Sequence, residues 1–265
     1  MTRTPDLRLD ALYRYPVKGL SPEPLSEARL EPGAYFPGDR LFAIENGPSG
    51  FDPTAPRHQP KIKFLMLMRD EALARLDARY DPARDVLTIR HEGRVAAQAH
   101  LATEEGRRAI EDFLRGYLPD SLRGAPRLLR SPEGFRFTDS ARGYVSLINL
   151  ASVAAIEDWV GAPVDPLRFR ANLYVTGLAP WAELDLVGRV LKTADGLRLR
   201  VLKRTERCAA TNVDPMTGQR DLAIPRTLDH HLGHTDCGVY AEVLAGGRLS
   251  VGEGLEIEAD GAPRA

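Results

Sequence analysis

Two cysteines stand in 265 residues. That is too few for a disulfide framework, so stability has to come from a packed core. A chain of about this size can supply one, burying roughly three-quarters of its unfolded surface. The two cysteines also cannot ligate an iron–sulfur cluster of the common all-cysteine type. Long apolar runs are missing. The most apolar short stretch, Phe64 to Met68, falls far below the roughly 20 residues of a membrane-crossing helix. Met1 to Asp10 has no apolar core of signal-peptide length, so a cytoplasmic location is the expectation. Neither sign of charge dominates: 36 Lys and Arg face 37 Asp and Glu, for a net charge of -1. No global field draws such a protein to nucleic acid or to a membrane, and neither is expected as a partner. Any anion site must be a local cluster of basic side chains. Gly-x-Gly-x-x-Gly after a strand, a Walker loop and a Gly-x-Ser-x-Gly elbow are all absent.

What is present is a set of short alternating segments. Leu7 to Tyr15 reads as a strand with Leu7, Leu9, Ala11 and Tyr13 on one face. Leu25 to Leu30 and Leu41 to Ile44 follow. Glu71 to Tyr80 reads as a short helix, with Leu73 and Leu76 on one side. Val86 to Arg90 and Arg94 to Ala99 form a hairpin around Glu92-Gly93. Thr103 caps an amphipathic helix to about Leu118, with Ile110, Phe113, Leu114 and Tyr117 inward. Pro119 to Gly134 is rich in Pro and Gly and reads as a linker. Beyond it come a strand at Tyr144 to Ile148 and a helix at Ser152 to Val160. Strands follow at Leu173 to Thr176, Arg189 to Thr193, Leu197 to Lys203, Val239 to Leu244 and Leu255 to Glu258. The fold class is α+β and β-rich, with barrel-like, mostly antiparallel sheets.

Several segments could carry chemistry. Cys208 lies in Arg207-Cys208-Ala209-Ala210-Thr211-Asn212-Val213-Asp214-Pro215-Met216-Thr217-Gly218, on a loop past a strand end. Lys203, Arg204 and Arg207 precede it, and nearby positive charge favours the thiolate. A thiolate suits molybdenum, zinc or copper(I), while a lone cysteine is also a common inert core residue. Lys18, in Tyr15-Pro16-Val17-Lys18-Gly19, projects from a turn as a phosphate contact or a solvated lysine. Arg170 and Asn172, in Arg168-Phe169-Arg170-Ala171-Asn172, and Arg40 could grip a phosphate or be surface charge at a strand start. His230, His231 and His234 precede Cys237. With Cys208 they could be drawn as a zinc site, although Gly233 interrupts the helix that would align them.

At Cys208 a resemblance enters. Arg207 to Gly218, followed by Arg220-Asp221 and the Pro225-to-Leu228 run, resembles the MOSC-domain family. The Tyr15-Pro16-Val17-Lys18 start resembles the N-terminal β-barrel domain that accompanies MOSC in longer members. These include the mitochondrial amidoxime-reducing components and a bacterial reductase of N-hydroxylated bases. The resemblance runs in order from Tyr15 to about Ile257. It implies an N-terminal β-barrel domain over residues 1–122 and a MOSC β-barrel with flanking helices over 123–262. It also implies that Cys208 ligates the metal of a molybdenum cofactor. Lys18, Arg40, Arg170 and Asn172 would hold the pterin and its phosphate, with Arg207, Asn149 and Tyr240 as further cofactor contacts. Gly19 departs from the pattern, standing where the reductases carry Ser. Glu206 does so beside Arg207, and Cys237 replaces a Phe.

The implied activity is reduction of N-oxygenated, above all N-hydroxylated, small molecules. Asp214 or His234 would carry protons. A separate electron-donor protein, with a flavin or an iron–sulfur cluster, would supply electrons. Two other readings stay open: a non-catalytic cofactor carrier, and a sulfur carrier with a persulfide on Cys208. A structural zinc protein is the remaining reading of the cysteines and histidines.

Overall fold

The computed structural model describes residues 7–139 and 144–258. Residues 1–6, within the segment read for a signal peptide, and residues 140–143 and 259–262 of the second expected domain lie outside them.

β1 (Arg8–Arg14) opens with Leu7 and Leu9 buried. Its register then slips between Leu9 and Ala11, and Leu12 takes the next inward place. The bulge turns Ala11 and Tyr13 away from Leu7 and Leu9, onto a different core cluster. The single strand expected at Leu25 to Leu30 is two, β2 (Glu23–Leu25) and β3 (Glu27–Leu30), broken at Ser26. β4 (Phe42–Asn46) is buried throughout. Glu71 to Tyr80 is not one helix. A 3-10 turn over Glu71–Arg75 leads into β5 (Leu76–Asp81). Leu76, Ala78 and Tyr80 are its buried residues, and a spacing of two belongs to a strand. β6 (Val86–His91) and β7 (Arg94–His100) turn on Glu92 and Gly93, at φ 52 and 75. Two successive positive φ values match the twist of a tight hairpin. α1 (Glu104–Tyr117) starts where Gly106 N donates to Thr103 Oγ1 at 3.0 Å, and it buries Ile110 and Leu114.

The expected linker contains β8 (Pro126–Arg130), paired antiparallel with β4. Leu128 drives this, because it belongs to the core of the first unit. Pro126 sits at the strand's first residue, where a missing donor is tolerated. Then follow β9 (Val145–Asn149), α2 (Leu150–Val160), β10 (Leu173–Thr176), β11 (Val190–Lys192) and β12 (Arg198–Glu206). α3 (Ile224–Leu232), β13 (Asp236–Ala245), β14 (Gly247–Ser250) and β15 (Glu256–Ile257) complete the chain. The main sheet has eight strands in the order β15-β11-β12-β13-β9-β10-β1-β2. Among the described residues, only β9 and β10 pair in parallel within it. β3 pairs with β14, and β5, β6 and β7 form a separate sheet. The fold is α+β and β-rich, with an N-terminal beta barrel domain. No described helix is long and apolar enough to cross a membrane.

The chain crosses between the two largest cores more than once. Leu12 and Phe36 belong to the core under the main sheet, whereas Val17 and Phe42 belong to that of the first unit. Residues 13–16 and 37–41 therefore span the junction. Lys18 and Arg40 are delivered there by the crossings themselves.

Candidate functional site

A cleft of about 170 Å³ opens at this junction. Lys18, Arg40, Arg170, Asn172, Arg207, Cys208 and Tyr240 all line it, drawn from segments far apart in sequence. Six basic side chains face three acidic ones in its walls, so the cleft is locally positive although the whole chain is near neutral.

The buried ring of Tyr15 organises the floor. Arg40 Cζ lies 4.5 Å from its centroid and Arg170 Cζ 4.4 Å. Both arginines adopt left-handed backbone, with φ 46 and 51, a conformation costing about 1–3 kcal/mol and common at functional sites. Arg40 N donates to Tyr15 O at 2.7 Å, which fixes the first turn. Burial works against the Arg40 charge, but Asp39 accepts from Nη1 at 2.7 and 2.6 Å and raises its pKa overall. Among the described residues no carboxylate pairs directly with Arg170, and Asp39 offsets its burial only in part. Burial, then repulsion from Arg40, brings its pKa down to about 10.

Lys18 is buried and donates to Phe137 O at 3.0 Å and to the Asp139 carboxylate. Burial lowers its pKa, and Asp139 offsets only part of that. Burial would raise Asp139, yet Lys18 outweighs it and holds Asp139 down to about 2. Asp139 is half exposed, and screening keeps the pair's contribution to about 1 kcal/mol or less. Nothing in the local sequence singled out Asp139, because the pair spans 121 positions.

Arg207 donates from Nε to Cys237 O at 2.6 Å and from Nη1 to Phe169 O at 2.9 Å. Gly238 makes room for it. A Cβ there would lie 2.8 Å from Arg207 Nη2 and 2.4 Å from Leu147 O, at φ +78. The Nη2 atoms of Arg170 and Arg207 are both buried without a hydrogen-bond partner. Buried donors are rarely left so. Arg168 Nε is likewise buried without a partner, and all three residues line the cleft.

Cys208 is half-buried, two residues beyond the end of β12, and begins a short 3-10 turn over Ala209–Asn212. Its carbonyl accepts from Thr211 N at 3.0 Å and Thr211 Oγ1 at 2.9 Å. Of the basic residues preceding it, only Arg207 reaches the cleft. Lys203 Nζ lies over the rings of Tyr144 and Tyr240 at 5.3 and 5.6 Å. Arg204 turns to Leu184 O and Asp185. Asn172 lines the cleft while tying two strands: its Oδ1 accepts from Ser146 N and Oγ, and its Nδ2 donates to Tyr13 O.

Three expected site residues are placed elsewhere. Asn149 is fully buried and caps α2, accepting from Ala151 N at 3.2 Å and donating to Ala179 O and Glu183. Asp214 accepts from Met216 N and Thr217 N in its own turn and pairs with Arg168 at 3.0 Å. His234 lies past Gly233, which ends α3 at φ 72, and its Nδ1 accepts from Asp236 N. It therefore shares no helix face with His230. His231 stacks on Trp159 instead, at 4.3 Å. Among the described residues, no group of three or more His, Cys, Asp or Glu could hold a metal ion. Cys237 is fully buried, and burial pushes its thiol up to about 12. Gly19 lines the cleft at φ +85, where a Cβ would lie 2.9 Å from Leu65 O. A side chain in its place would be strained and would require the Leu65 backbone to shift.

A basic cleft thus lies between two strand-rich units, with the half-buried Cys208 in its wall. Residues 6–116 match the family model of the MOSC N-terminal beta barrel domain, and residues 135–256 match that of the MOSC domain. The chain belongs to the MOSC-domain proteins that carry this N-terminal domain. Molybdenum cofactor sulfurase of Caenorhabditis elegans is 36% identical over 102 residues, covering 36% of this chain and 13% of that protein. The Caenorhabditis briggsae protein of the same name is 38% identical over 77 residues, covering 28% and 10%. The match thus spans only a small part of those relatives. Among solved structures, the YUAD protein from Bacillus subtilis aligns over 95% of this chain and 94% of its own, with 13% identity and a TM-score of 0.45. YiiM from Geobacillus stearothermophilus aligns over 45% and 56%, with 20% identity and a TM-score of 0.35.

Proposed function

We propose that the cleft binds the molybdenum cofactor with Cys208 as a ligand of the metal, and that the loaded protein reduces N-oxygenated small molecules. One observation carries the reading: three buried guanidinium donors without partners, on Arg168, Arg170 and Arg207, belong to residues that line the same cleft as the half-buried Cys208. The residues fit the group, since a phosphate satisfies such donors and a thiolate is a soft metal ligand. The MOSC match and the name of the curated relatives support the same cofactor. Arg170 and Arg207 take the phosphate, and Lys18 and Arg40, paired with Asp139 and Asp39, form the wall from the first unit. Tyr240, beside Tyr144 at 5.4 Å, provides a flat wall. When bound, the cofactor supplies two-electron redox chemistry. Asp214 and His234, the expected proton carriers, stand outside the cleft lining. A separate flavin or iron–sulfur protein delivers the electrons.

The first experiment is metal analysis of protein from a cofactor-competent host, beside Cys208→Ser. Equal molybdenum in both sinks the ligand assignment. Reduced-dye-driven turnover of amidoximes and hydroxylamines then tests the reaction. Loaded protein that reduces none of them shifts the conclusion to cofactor carriage. The sulfurase name of the relatives favours a further reading, a persulfide on Cys208. An added sulfur on that residue, detected by mass spectrometry, would establish it.

A further inference from the structure

One side chain joins the Cys208 loop to the first unit. Arg220 Nη1 donates to Ala209 O at 3.1 Å, next to Cys208. Its Nη2 donates to Leu67 O at 3.1 Å, Met68 O at 2.8 Å and Glu71 Oε2 at 3.0 Å. Leu67 and Met68 line the cleft. A planar fork can serve acceptors from two stretches of backbone at once, which a point-like ammonium does less well.

The rest of the loop follows the same seam. Ala210 packs against the core of the first unit. Gly218 approaches so closely that a Cβ would lie 2.8 Å from Arg75 Cγ and 3.0 Å from Glu71 O. On the other side Arg168 grips Asp214 at 3.0 Å and Asp221 at 2.8 Å, which binds the loop to its own unit. Arg168 therefore ties the loop to the second unit, and Arg220 is the polar joint that seats it on the first.

We infer that Arg220 is a positioning residue. It sets the Cys208 thiol against the wall and cations that the first unit contributes, without itself lining the cleft. The inference goes beyond the proposed function and concerns the thiol whichever group the cleft takes.

The test uses the full chain purified without added cofactor. Alkylation of Cys208 by iodoacetamide is followed by mass spectrometry, and binding of inorganic pyrophosphate by calorimetry. Losing the joint frees the loop to open, so Arg220→Ala should be alkylated about tenfold faster, the equivalent of about 1.4 kcal/mol. Arg220→Lys should recover part of the protection, because one ammonium still reaches some of the carbonyls. Pyrophosphate affinity should stay within about threefold, since its receptors do not include Arg220. An unchanged alkylation rate in Arg220→Ala overturns the inference. So does a Lys variant indistinguishable from the Ala one, or a parallel collapse of pyrophosphate binding, which marks a general structural role. Should Arg220→Ala not fold, Glu71→Gln weakens the same joint and should speed alkylation about two- to threefold. No change there is equally fatal. Failure of molybdenum binding would leave these results untouched.

Discussion

Replacing Arg170 with Met should leave the free protein about as stable as before and remove much of its affinity for anions. The two effects part because the guanidinium is poorly served when the cleft holds no anion. Its Nη2 is buried without a partner, at a cost of about 1–3 kcal/mol. Burial and Arg40 together hold its pKa down to about 10, so the charge itself is disfavoured there. Against this, the group lies 4.4 Å from the Tyr15 ring, a contact worth about 0.5–2 kcal/mol. Met keeps an unbranched stem on the ring, and at φ 51 it is strained no more than Arg. The opposing contributions nearly cancel, and the thermal midpoint should move by no more than about 4 °C. With an anion bound, the same substitution deletes a charge-assisted hydrogen bond worth about 1.5–3 kcal/mol. Affinity should fall roughly 10- to 150-fold. Calorimetric titration with inorganic pyrophosphate, beside thermal unfolding without it, reads both. A variant that loses more than about 2 kcal/mol of stability while binding pyrophosphate as before would refute the reasoning and make Arg170 a structural cation.

Three other expectations concern the surroundings of the cleft. Native protein treated with iodoacetamide should gain one adduct, on Cys208, because Cys237 is fully buried with its thiol pushed up to about 12; a second adduct forming as fast contradicts this. Gly19→Ser should destabilise by about 1–3 kcal/mol, from the positive φ and the approach to Leu65 O, and an unchanged thermal midpoint would show that the backbone yields. Glu183 is fully buried and its pKa is raised, by burial above all. The folded state therefore binds that proton more tightly than the unfolded one, and stability drops as pH climbs from about 4.5 through the raised value. Glu183→Gln should flatten that decline of the midpoint, and a slope identical to the parent's would remove Glu183 as its source.

Some of the molecule was legible in local chemistry. Thr103 marked the start of α1 because a cap acts within three residues, and Glu92-Gly93 marked a hairpin because few residue pairs take two positive φ values. Lys18, Arg40 and Cys208 stood out as residues beside turns or strand ends, and those are the places where this chain crosses between its cores. Other features hid because their causes are distant. β8 looked like a linker until Leu128 found the first unit's core. The bulge in β1 moved Ala11 and Tyr13 to another face, a choice made by pairing with β10 and invisible in the alternation. Asn149 read as a cofactor contact, yet the nearest unpaired donors were those of the helix it precedes, and it caps them.

The sequence by itself determined the family, the candidate thiol and the stock of cations that could surround it, because those are properties of residue type and order. Only the tertiary structure decided which cations are already neutralised. Asp39 satisfies Arg40, and Asp139 holds Lys18 from 121 positions away. Arg168, Arg170 and Arg207 keep buried donors without partners. That difference is electrostatic: it depends on distance and burial in the folded chain, not on residue type or order.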